Sequence, residues 1–204
     1  MSRTAERPGE ELDIEQGSPE WLDLRMRLRM ASETPAVLGI SPYQTADSVR
    51  RAKRGLRGSV TPAMRKGSEQ EPLARAAYAK RFGSMRPAFY VAGDYGCSLD
   101  GIDGERATIL EIKTPYRGRD SDRWRMAERG RVAAHDQAQI QHQLMVCGAA
   151  IAHLWVWDAD SRRGTMVEIK PDPQYWTRIR GAWDAFWPTL SQEPRVSPRG
   201  PRSA

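Results

Sequence analysis

An acidic and a basic residue stand two positions apart in the segment ILEIK, residues 109–113, where their side chains could act together on one substrate. The run is typical of a β-strand, in which successive side chains point to opposite faces. Glu111 and Lys113 therefore project from the same face, while their apolar neighbours point into the core. A carboxylate can hold a hard cation, and an ammonium can position an attacking water and counter the charge on a phosphate. The pair predicts metal-assisted hydrolysis of a phosphate ester.

A second carboxylate, Asp100, precedes this strand. Asp100-Gly101 is typical of a tight turn at the end of a hairpin strand. If Asp100 lies next to Glu111, two carboxylates and one ammonium converge within a few ångströms. Mg²⁺ takes oxygen ligands and often sits on one or two carboxylates together with water and phosphate oxygens. The arrangement favours a magnesium site.

The same loose pattern of Asp, Glu and Lys occurs again at Asp158, Glu168 and Lys170. The first copy lies between helices that carry unusual polar residues, whereas the second leads into a Trp-rich helix with a plain packing stripe. We interpret the second copy as an ordinary hairpin. The alternative for Glu111 and Lys113 is a cross-strand surface pair, which contributes only a few tenths of a kcal/mol.

A third carboxylate, Glu71, falls on an apolar helix stripe. The spacing predicts a helix over residues 68–82, on which Glu71 lies in line with Tyr78 and Phe82. A carboxylate on an apolar face needs a partner, and a metal ion would supply one. The alternative is a capping box, in which Ser68 and Glu71 satisfy the start of the helix locally.

Four glutamines occupy the predicted helix that ends at Gly148, in the run HDQAQIQHQLMVCG. Gln139, Gln143 and His135 share a polar face, while Gln141 falls half in the core. A buried amide needs hydrogen-bond partners. Gln141 therefore either faces the active site or bonds to the backbone.

Composition excludes several classes of protein. The chain has 204 residues and a formal charge of +6, and no segment is long or apolar enough to span a membrane. The charged start is unlike a signal peptide, so we expect a cytoplasmic protein. Cys97 and Cys147 make neither a disulfide framework nor a zinc site. Seven basic residues and no acidic one lie between positions 50 and 66, which indicates either a polyanion partner or a solvated face.

The order of predicted elements is helices, three strands, a helix, two strands and a last helix. Such an order predicts an α/β (α+β) fold, a mixed sheet with helices on its faces and a helical N-terminal third. Both ends of the chain are polar and lack an apolar period. We therefore expect one domain over residues 17–190, between flexible tails at residues 1–16 and 191–204.

Five ordered motifs make the chain similar to the phage lambda exonuclease and YqaJ viral recombinase family of the PD-(D/E)XK nuclease superfamily. They are SPEWLDLRMRLRMASETPAVLG, KGSEQEP, GCSLDG, ILEIKTP and QAQIQHQLMVCG, and the resemblance runs from about Pro19 to Phe186. It implies a restriction-endonuclease-like core, with a mixed central sheet flanked by helices. Family members often have Ser-Pro-Asp where this chain has Ser98-Leu99-Asp100, so the loop that enters the site is expected to differ.

The resemblance also implies residue roles. Mg²⁺, with Mn²⁺ as a possible substitute, would be bound by the side chains of Glu71, Asp100 and Glu111 and by the Ile112 carbonyl. Catalysis is assigned to Glu71, Asp100, Glu111, Lys113 and Gln141. DNA contacts are assigned to Arg25, Ser32, Ser98, Arg119 and Gln139. Arg25 and Ser32 are expected to grip a terminal 5′-phosphate, because a guanidinium binds phosphate bidentately.

The function implied by this resemblance is a Mg²⁺-dependent 5′ to 3′ exonuclease that acts on linear double-stranded DNA. It would leave a 3′ overhang for a single-strand annealing protein and could form a ring-shaped homotrimer. One alternative is an endonuclease of the same superfamily that cuts internal sites. Another is a DNA-binding recombination accessory protein whose nuclease site is inactive.

Overall fold

The computed structural model describes residues 8–56, 58 and 61–191, and within them seven strands form one sheet. The strands are β1 (Glu10–Leu12), β2 (Arg29–Met30), β3 (Arg86–Ala92), β4 (Tyr95–Ile102), β5 (Thr108–Lys113), β6 (Ile151–Asp158) and β7 (Arg163–Ile169). The order across the sheet is β1-β3-β4-β5-β6-β7, with β2 paired to β4. Only the β5–β6 and β2–β4 pairs are parallel. The predicted mixed sheet is confirmed.

Seven α-helices accompany these strands in the described residues. They are α1 (Pro19–Arg27), α2 (Thr34–Val37), α3 (Ala46–Lys53), α4 (Pro62–Phe82), α5 (Asp122–Glu128), α6 (Ala134–Cys147) and α7 (Pro173–Phe186). Short 3-10 turns cover Ala31–Glu33, Gly118–Asp120 and Trp187–Leu190. The front of the chain is helical, as predicted, and none of the described helices is both long and apolar enough to cross a membrane.

The two faces of β5 pack against different helices. Ile109 belongs to a core cluster that includes Ile140 and Leu144 of α6. Leu110 and Ile112 belong to a second cluster with Ala74 and Tyr78 of α4. Because side chains alternate along a strand, Glu111 and Lys113 lie on the α6 side. The parallel step from β5 to β6 requires a crossover connection, and α5 and α6 provide it.

The β4–β5 connection corrects one sequence prediction. Asp100 and Gly101 do not form a turn, because both lie inside β4 and Gly101 pairs with Leu110. The turn comes after β4, where the Asp103 carboxylate accepts hydrogen bonds from the backbone N–H groups of Ala107 and Thr108. Asp100 therefore lies on a paired strand next to Glu111.

The predicted N-terminal tail also needs a correction. Residues 10–12 form an edge strand, β1, although they were assigned to a flexible segment on account of their polarity. The Glu11 carboxylate explains the pairing, because it forms ion pairs with Arg86 and Arg106 and accepts a hydrogen bond from Tyr90 Oη at 2.9 Å. These bonds lower the pKa of Glu11 to about 2, chiefly through Arg86. Residues 1–7 and 192–204 lie outside the described part of the chain.

Two helices differ from the sequence prediction. Helix α4 begins at Pro62, capped by the Thr61 hydroxyl, rather than at Ser68. Helix α5 was not predicted, because its segment is dominated by charged residues. It is nevertheless capped by Ser121 and buries Trp124 and Ala127.

The glycine of β7 gives a test of the packing on the α4 side of the sheet. A Cβ atom at Gly164 would overlap the ring of Trp155, whereas one at Gly181, on α7, would meet nothing within 4 Å. Overpacking a core costs about 2 kcal/mol, and Gly→Ala in an open helix position gains about 0.5–1 kcal/mol. We expect Gly164→Ala to lower the free energy of unfolding in urea and Gly181→Ala to raise it. Equal effects of the two substitutions would contradict the packing.

Candidate active site

Glu111 and Lys113 form an ion pair on β5. Lys113 Nζ lies 2.6 Å from Glu111 Oε1. Glu111 is only 2% exposed, whereas Lys113 is partly buried. Burial alone would lower the pKa of Lys113, but the Glu111 and Asp136 carboxylates raise it above its usual value. The lysine is therefore a fixed cation at neutral pH and not a base.

Asp100 joins this pair from the neighbouring strand. Its Oδ2 atom accepts a hydrogen bond from the Ile112 backbone N–H at 2.7 Å. Burial raises the pKa of Asp100 well above its usual range, and the nearby Glu111 and Glu71 carboxylates raise it further. The adjacency of Asp100 and Glu111 expected from the sequence is therefore present, although the predicted turn is not.

Glu71 reaches the same site from α4. The capping-box alternative is wrong, because Ser68 is inside the helix and its hydroxyl donates to the Met64 carbonyl. Glu71 is instead paired with Arg75, whose Nε also donates to the Asp100 carbonyl at 2.5 Å. Burial raises the pKa of Glu71; the Arg75 charge opposes this rise and the Glu111 charge adds to it.

Three carboxyl groups thus share one region with the cations of Lys113 and Arg75. In the described residues, no three His, Cys, Asp or Glu side chains are already arranged as a ligand shell for a metal ion. Each carboxylate has a protein partner instead. The donor set nevertheless has the chemistry of a magnesium site, because it consists of oxygen ligands. Burial raises the pKa values of Asp100 and Glu71 and the neighbouring carboxylates add to the rise, and a divalent cation would favour the charged forms of both groups.

Two glutamines of α6 fix the Glu111 carboxylate. Gln139 Nε2 donates to Glu111 Oε1 at 2.8 Å, and Gln139 Oε1 accepts from Lys113 Nζ at 3.1 Å. Gln143 Nε2 donates to Glu111 Oε2 at 2.6 Å and to the Ser98 carbonyl at 3.2 Å. Gln143 was not among the predicted site residues. The signal that could have found it is its position four residues after Gln139, on the same helix face.

Gln141 does not belong to this cluster, and its prediction as a catalytic residue is corrected. It is fully buried, and its Nε2 donates to the Lys170 carbonyl at 2.8 Å. Its Oε1 accepts from the Asp172 backbone N–H and from Trp176 Nε1. The backbone-bonding alternative is the correct one, because a residue two positions from Gln139 points to a different side of the helix. Gln141 joins α6 to the start of α7.

A second polar group adjoins the site through Ser98. Ser98 Oγ accepts a hydrogen bond from Trp21 Nε1 at 3.0 Å, and the Trp21 ring lies under the Arg25 guanidinium at 4.6 Å. Arg25 also donates to Ser32 Oγ at 3.0 Å. The structure therefore brings Arg25, Ser32 and Ser98 into one chain of contacts, and Gln143 connects this chain to Glu111.

The backbone around Arg25 and Ser32 is held by a buried ion pair. Lys53 Nζ lies 2.5 Å from Glu33 Oε2 and donates to the carbonyls of Arg25 and Leu28. The Thr34 hydroxyl is hydrogen-bonded to His142 Nδ1 at 2.6 Å. Helix α3 and helix α6 thus both anchor the segment that carries Ser32.

The basic segment of residues 50–66 has mixed roles. Lys53 is buried in the ion pair described above, and Arg50 pairs with Asp47. Lys66 lies over the ring of Tyr116 at 5.0 Å. Arg57 is outside the described residues.

An open cleft of about 880 Å³ contains the carboxylates and Lys113. Its wall includes Tyr43 and Tyr116, whose side chains are exposed, together with Arg117 and Arg123. Arg119 does not line this cleft. It lies over the Trp124 ring at 5.6 Å and lines a neighbouring groove, so the cluster does not include this predicted DNA contact.

The second Glu-Ile-Lys copy is an ordinary hairpin. Glu168 is exposed and pairs with His153 across β6 and β7, and Lys170 is also exposed. The Asp158 carboxylate accepts a hydrogen bond from the Ser161 hydroxyl at 2.5 Å within the hairpin turn. These contacts make a turn and not a second site.

Comparison with known proteins identifies the family of the chain. Residues 20–150 match the YqaJ-like viral recombinase domain, which covers more than half of the chain. The chain belongs to the YqaJ-like viral recombinase family. This membership confirms the resemblance drawn from the motifs and supports a nuclease of the recombination type. No curated protein sequence matches the chain.

Solved structures show the same fold. An alkaline exonuclease from Laribacter hongkongensis, LHK-Exo, is 21% identical, with a TM-score of 0.70 over 86% of this chain and 93% of that one. The structure of LHK-Exo in complex with dAMP gives a TM-score of 0.71 over the same shares, also at 21% identity. A phage-related exonuclease from Haemophilus somnus 129PT is 15% identical, with a TM-score of 0.61 over 81% of this chain and 94% of that one.

The crowding of carboxylates predicts a stability change at Asp100. Its folded-state pKa is raised, so the charged form costs stability at neutral pH, and this cost disappears as the pH falls to about 4. Asp100→Asn removes the charge and keeps an oxygen that can accept from the Ile112 N–H. In metal-free buffer we expect the free energy of unfolding at neutral pH to rise by about 1 kcal/mol, with the gain shrinking near pH 4.

Urea denaturation at the two pH values measures this difference. Asp160→Asn, at an exposed turn residue, is the matched control and should change stability little. If Asp100→Asn were less stable than the unmodified protein at neutral pH, the crowding of negative charge would be contradicted.

Proposed function

We propose that this protein is a Mg²⁺-dependent deoxyribonuclease, and more specifically a 5′ to 3′ exonuclease of linear double-stranded DNA. The observation that carries the proposal is the Glu111–Lys113 pair beside Asp100 and Glu71 in one open cleft. Carboxylates that hold a divalent cation, together with a fixed ammonium, are suited to in-line displacement at a phosphate. Family membership supports the same class of reaction.

Glu71, Asp100 and Glu111 would hold Mg²⁺ together with the Ile112 carbonyl, and Mn²⁺ could substitute. When bound, the ion would polarise the phosphate and lower the pKa of a water ligand. A bound cation would also offset the burial and the mutual repulsion of the carboxylates that raise the pKa values of Asp100 and Glu71. All of the proposed ligands lie in the same cleft.

The protein's own groups would orient the reaction. Lys113 is held 2.6 Å from Glu111, so its ammonium stays at the carboxylate, where it would face the scissile phosphate. There it would position the attacking water and stabilise charge on the phosphate oxygens. Gln139 and Gln143 keep both oxygens of Glu111 in place, so the carboxylate does not have to reorganise during the reaction. We also propose that Gln139 contacts the DNA, because its side chain is hydrogen-bonded to Lys113.

The end of the DNA would be recognised by Arg25 and Ser32. Their contact at 3.0 Å places a guanidinium and a hydroxyl together, and this pair could bind a 5′-phosphate. Ser98 would contribute from the neighbouring strand, because it lies between Trp21 and the Gln143 side chain. The contact chain from Arg25 to Glu111 supports a fixed spacing between the bound end and the site of hydrolysis.

The comparisons support the proposed exonuclease activity. The similar proteins include two described as exonucleases, and one of them was solved with dAMP, a mononucleotide of the kind that an exonuclease releases. A single-strand annealing protein as partner, a homotrimeric ring and a cytoplasmic location belong to the same proposal. A domain between residues 17 and 190 would contain the whole site.

Replacement of Lys113 tests the reaction. We expect Lys113→Met to lower the rate of Mg²⁺-dependent digestion at least about 100-fold, because the charge that stabilises the transition state is removed. Lys170→Met is the matched control from the second Glu-Ile-Lys copy and should keep full activity. The assay compares 5′-phosphorylated linear duplex with covalently closed circular DNA.

The outcomes separate the three candidate activities. Loss of the linear DNA alone, dependent on Lys113, supports an end-dependent exonuclease. Cutting of the closed circle would assign an endonuclease instead, and DNA binding without cutting would assign an inactive accessory protein. Full activity of Lys113→Met would contradict the proposed site.

Replacement of Arg25 tests recognition of the DNA end. We expect Arg25→Ala to slow digestion of 5′-phosphorylated duplex about 10-fold or more, because a charge-assisted bond to phosphate is lost. Digestion of 5′-hydroxyl duplex should change much less. Arg27→Ala, at an exposed residue of the same helix, is the control. An equal loss on both kinds of end would contradict the role of Arg25.

A further inference from the structure

A second depression of about 750 Å³ lies beside the active-site cleft, between α4, the β6–β7 hairpin and residues 119–128. Its lining carries five cationic side chains and one acidic side chain, Glu128. The cationic residues are Lys80, Arg81, Arg119, Arg162 and Arg163. We call this depression the basic groove. It contains none of the carboxylates or the lysine of the candidate active site.

The cations of the basic groove are not neutralised by any carboxylate in the part of the chain that the structure describes. In the described residues, none of the five forms an ion pair within 4.0 Å, and all five are exposed. Two arginines near the active-site cleft differ, since Arg75 and Arg123 are paired with Glu71 and Asp136. Unneutralised charge of one sign along a groove concentrates anionic ligands there.

The floor of the groove is apolar. Leu73 is 59% exposed in it, although it lies on a helix that otherwise packs against the sheet. The rings of Trp124, Trp155 and Trp157 lie beneath this surface and are themselves buried. The Arg119 and Arg81 guanidinium groups lie over the Trp124 and Trp155 rings. A free inorganic anion would leave the exposed Leu73 side chain uncovered. The lining therefore fits a ligand that has both phosphates and apolar groups.

The hairpin turn that carries two of these cations is unusual in its backbone. Arg162 has φ of +53°, in the left-handed region that a non-glycine residue rarely adopts. The Asp158 carboxylate holds this turn through the Ser161 hydroxyl and the Asp160 N–H. This turn places Arg162 and Arg163 at the groove.

The basic groove and the cleft share two elements. Gln70 of α4 lines the groove, and the next residue, Glu71, lines the cleft. Arg119 lines the groove, while Arg117 lines the cleft. A DNA strand that leaves the cleft across either element would enter the groove.

We propose that the basic groove binds single-stranded DNA, and this inference rests on the proposed nuclease function. A duplex presents its phosphates but hides its bases, so it would leave the apolar floor uncovered. A single strand offers phosphates to the five cations, and its bases would cover Leu73 and stack on the arginine side chains. The groove would retain the strand that becomes unpaired as the other is degraded.

The test measures binding without hydrolysis. Fluorescence anisotropy of a labelled oligothymidylate is followed in EDTA, so that no divalent metal ion is available for cleavage. We compare the double variant Arg162→Gln/Arg163→Gln with a control double variant, Arg131→Gln/Arg178→Gln, which removes the same charge outside both depressions.

We expect the groove variant to bind at least about 10-fold more weakly than the control variant. Each lost phosphate contact changes the slope of log K against log salt by about 0.7 for a single strand, so the slope should become less steep by about 1.4. The variant Lys80→Gln/Arg81→Gln, on the opposite wall of the groove, should weaken binding in the same way. It keeps the test valid if the hairpin variant does not fold.

Equal affinities of the groove and control variants would overturn the proposal and leave the groove to an acidic protein partner. Failure of the nuclease function is detected separately, as absence of Mg²⁺-dependent digestion by the unmodified protein. Because the binding assay contains no Mg²⁺, that failure would leave the anisotropy result unaffected.

Discussion

A buried carboxylate on a central strand must find its hydrogen-bond partners within the protein, and Glu111 imposes this requirement on the fold. Its two oxygens are satisfied by Lys113 and Gln139 on one side and by Gln143 on the other. Removing one partner of a buried charge leaves that charge uncompensated, which is far more costly than losing an exposed pair. Helix α6 therefore has to cross β5 at the position of Glu111, where Gln139 and Gln143, one helical turn apart, reach its two oxygens.

The sheet makes this arrangement possible because the two faces of β5 carry different kinds of side chain. Leu110 and Ile112 fill the core beneath α4, while Glu111 and Lys113 face α6. Asp100 is fixed beside them through the Ile112 N–H, and Glu71 comes from the N-terminal half of α4. Burial, together with the neighbouring negative charge, raises the pKa values of Asp100 and Glu71. The fold thus maintains an electrostatically unfavourable cluster, which is a signature of functional sites.

Much of this could be predicted from the sequence, because the deciding signals are local. Strand alternation placed Glu111 and Lys113 on one face, and the neighbourhood of each Glu-Ile-Lys copy separated the site from the hairpin at Glu168. The family motifs indicated the fold from residue types and their order alone. These inferences depend on residue type and short spacing, which a sequence states directly.

The errors arose where a partner distant in sequence decides the outcome. The helix period places Gln141 and Gln143 on different faces of α6, but the packing of α7 and β5 determines which face meets Glu111. The edge strand β1 depends on Arg86 and Tyr90, far along the chain. The position of Asp100 within β4, rather than in a turn, depends on its pairing with β5.

Cation binding at the carboxylate cluster tests the account most directly. Isothermal titration with Mn²⁺ in the absence of DNA would compare the unmodified protein with Glu111→Gln and with Glu168→Gln, the exposed glutamate of the second Glu-Ile-Lys copy. The account predicts binding by the unmodified protein and by Glu168→Gln, and a loss of at least about 10-fold in affinity for Glu111→Gln, because a charged ligand is removed. Equal affinity in all three proteins would show that the cation binds elsewhere and would contradict the central role of Glu111.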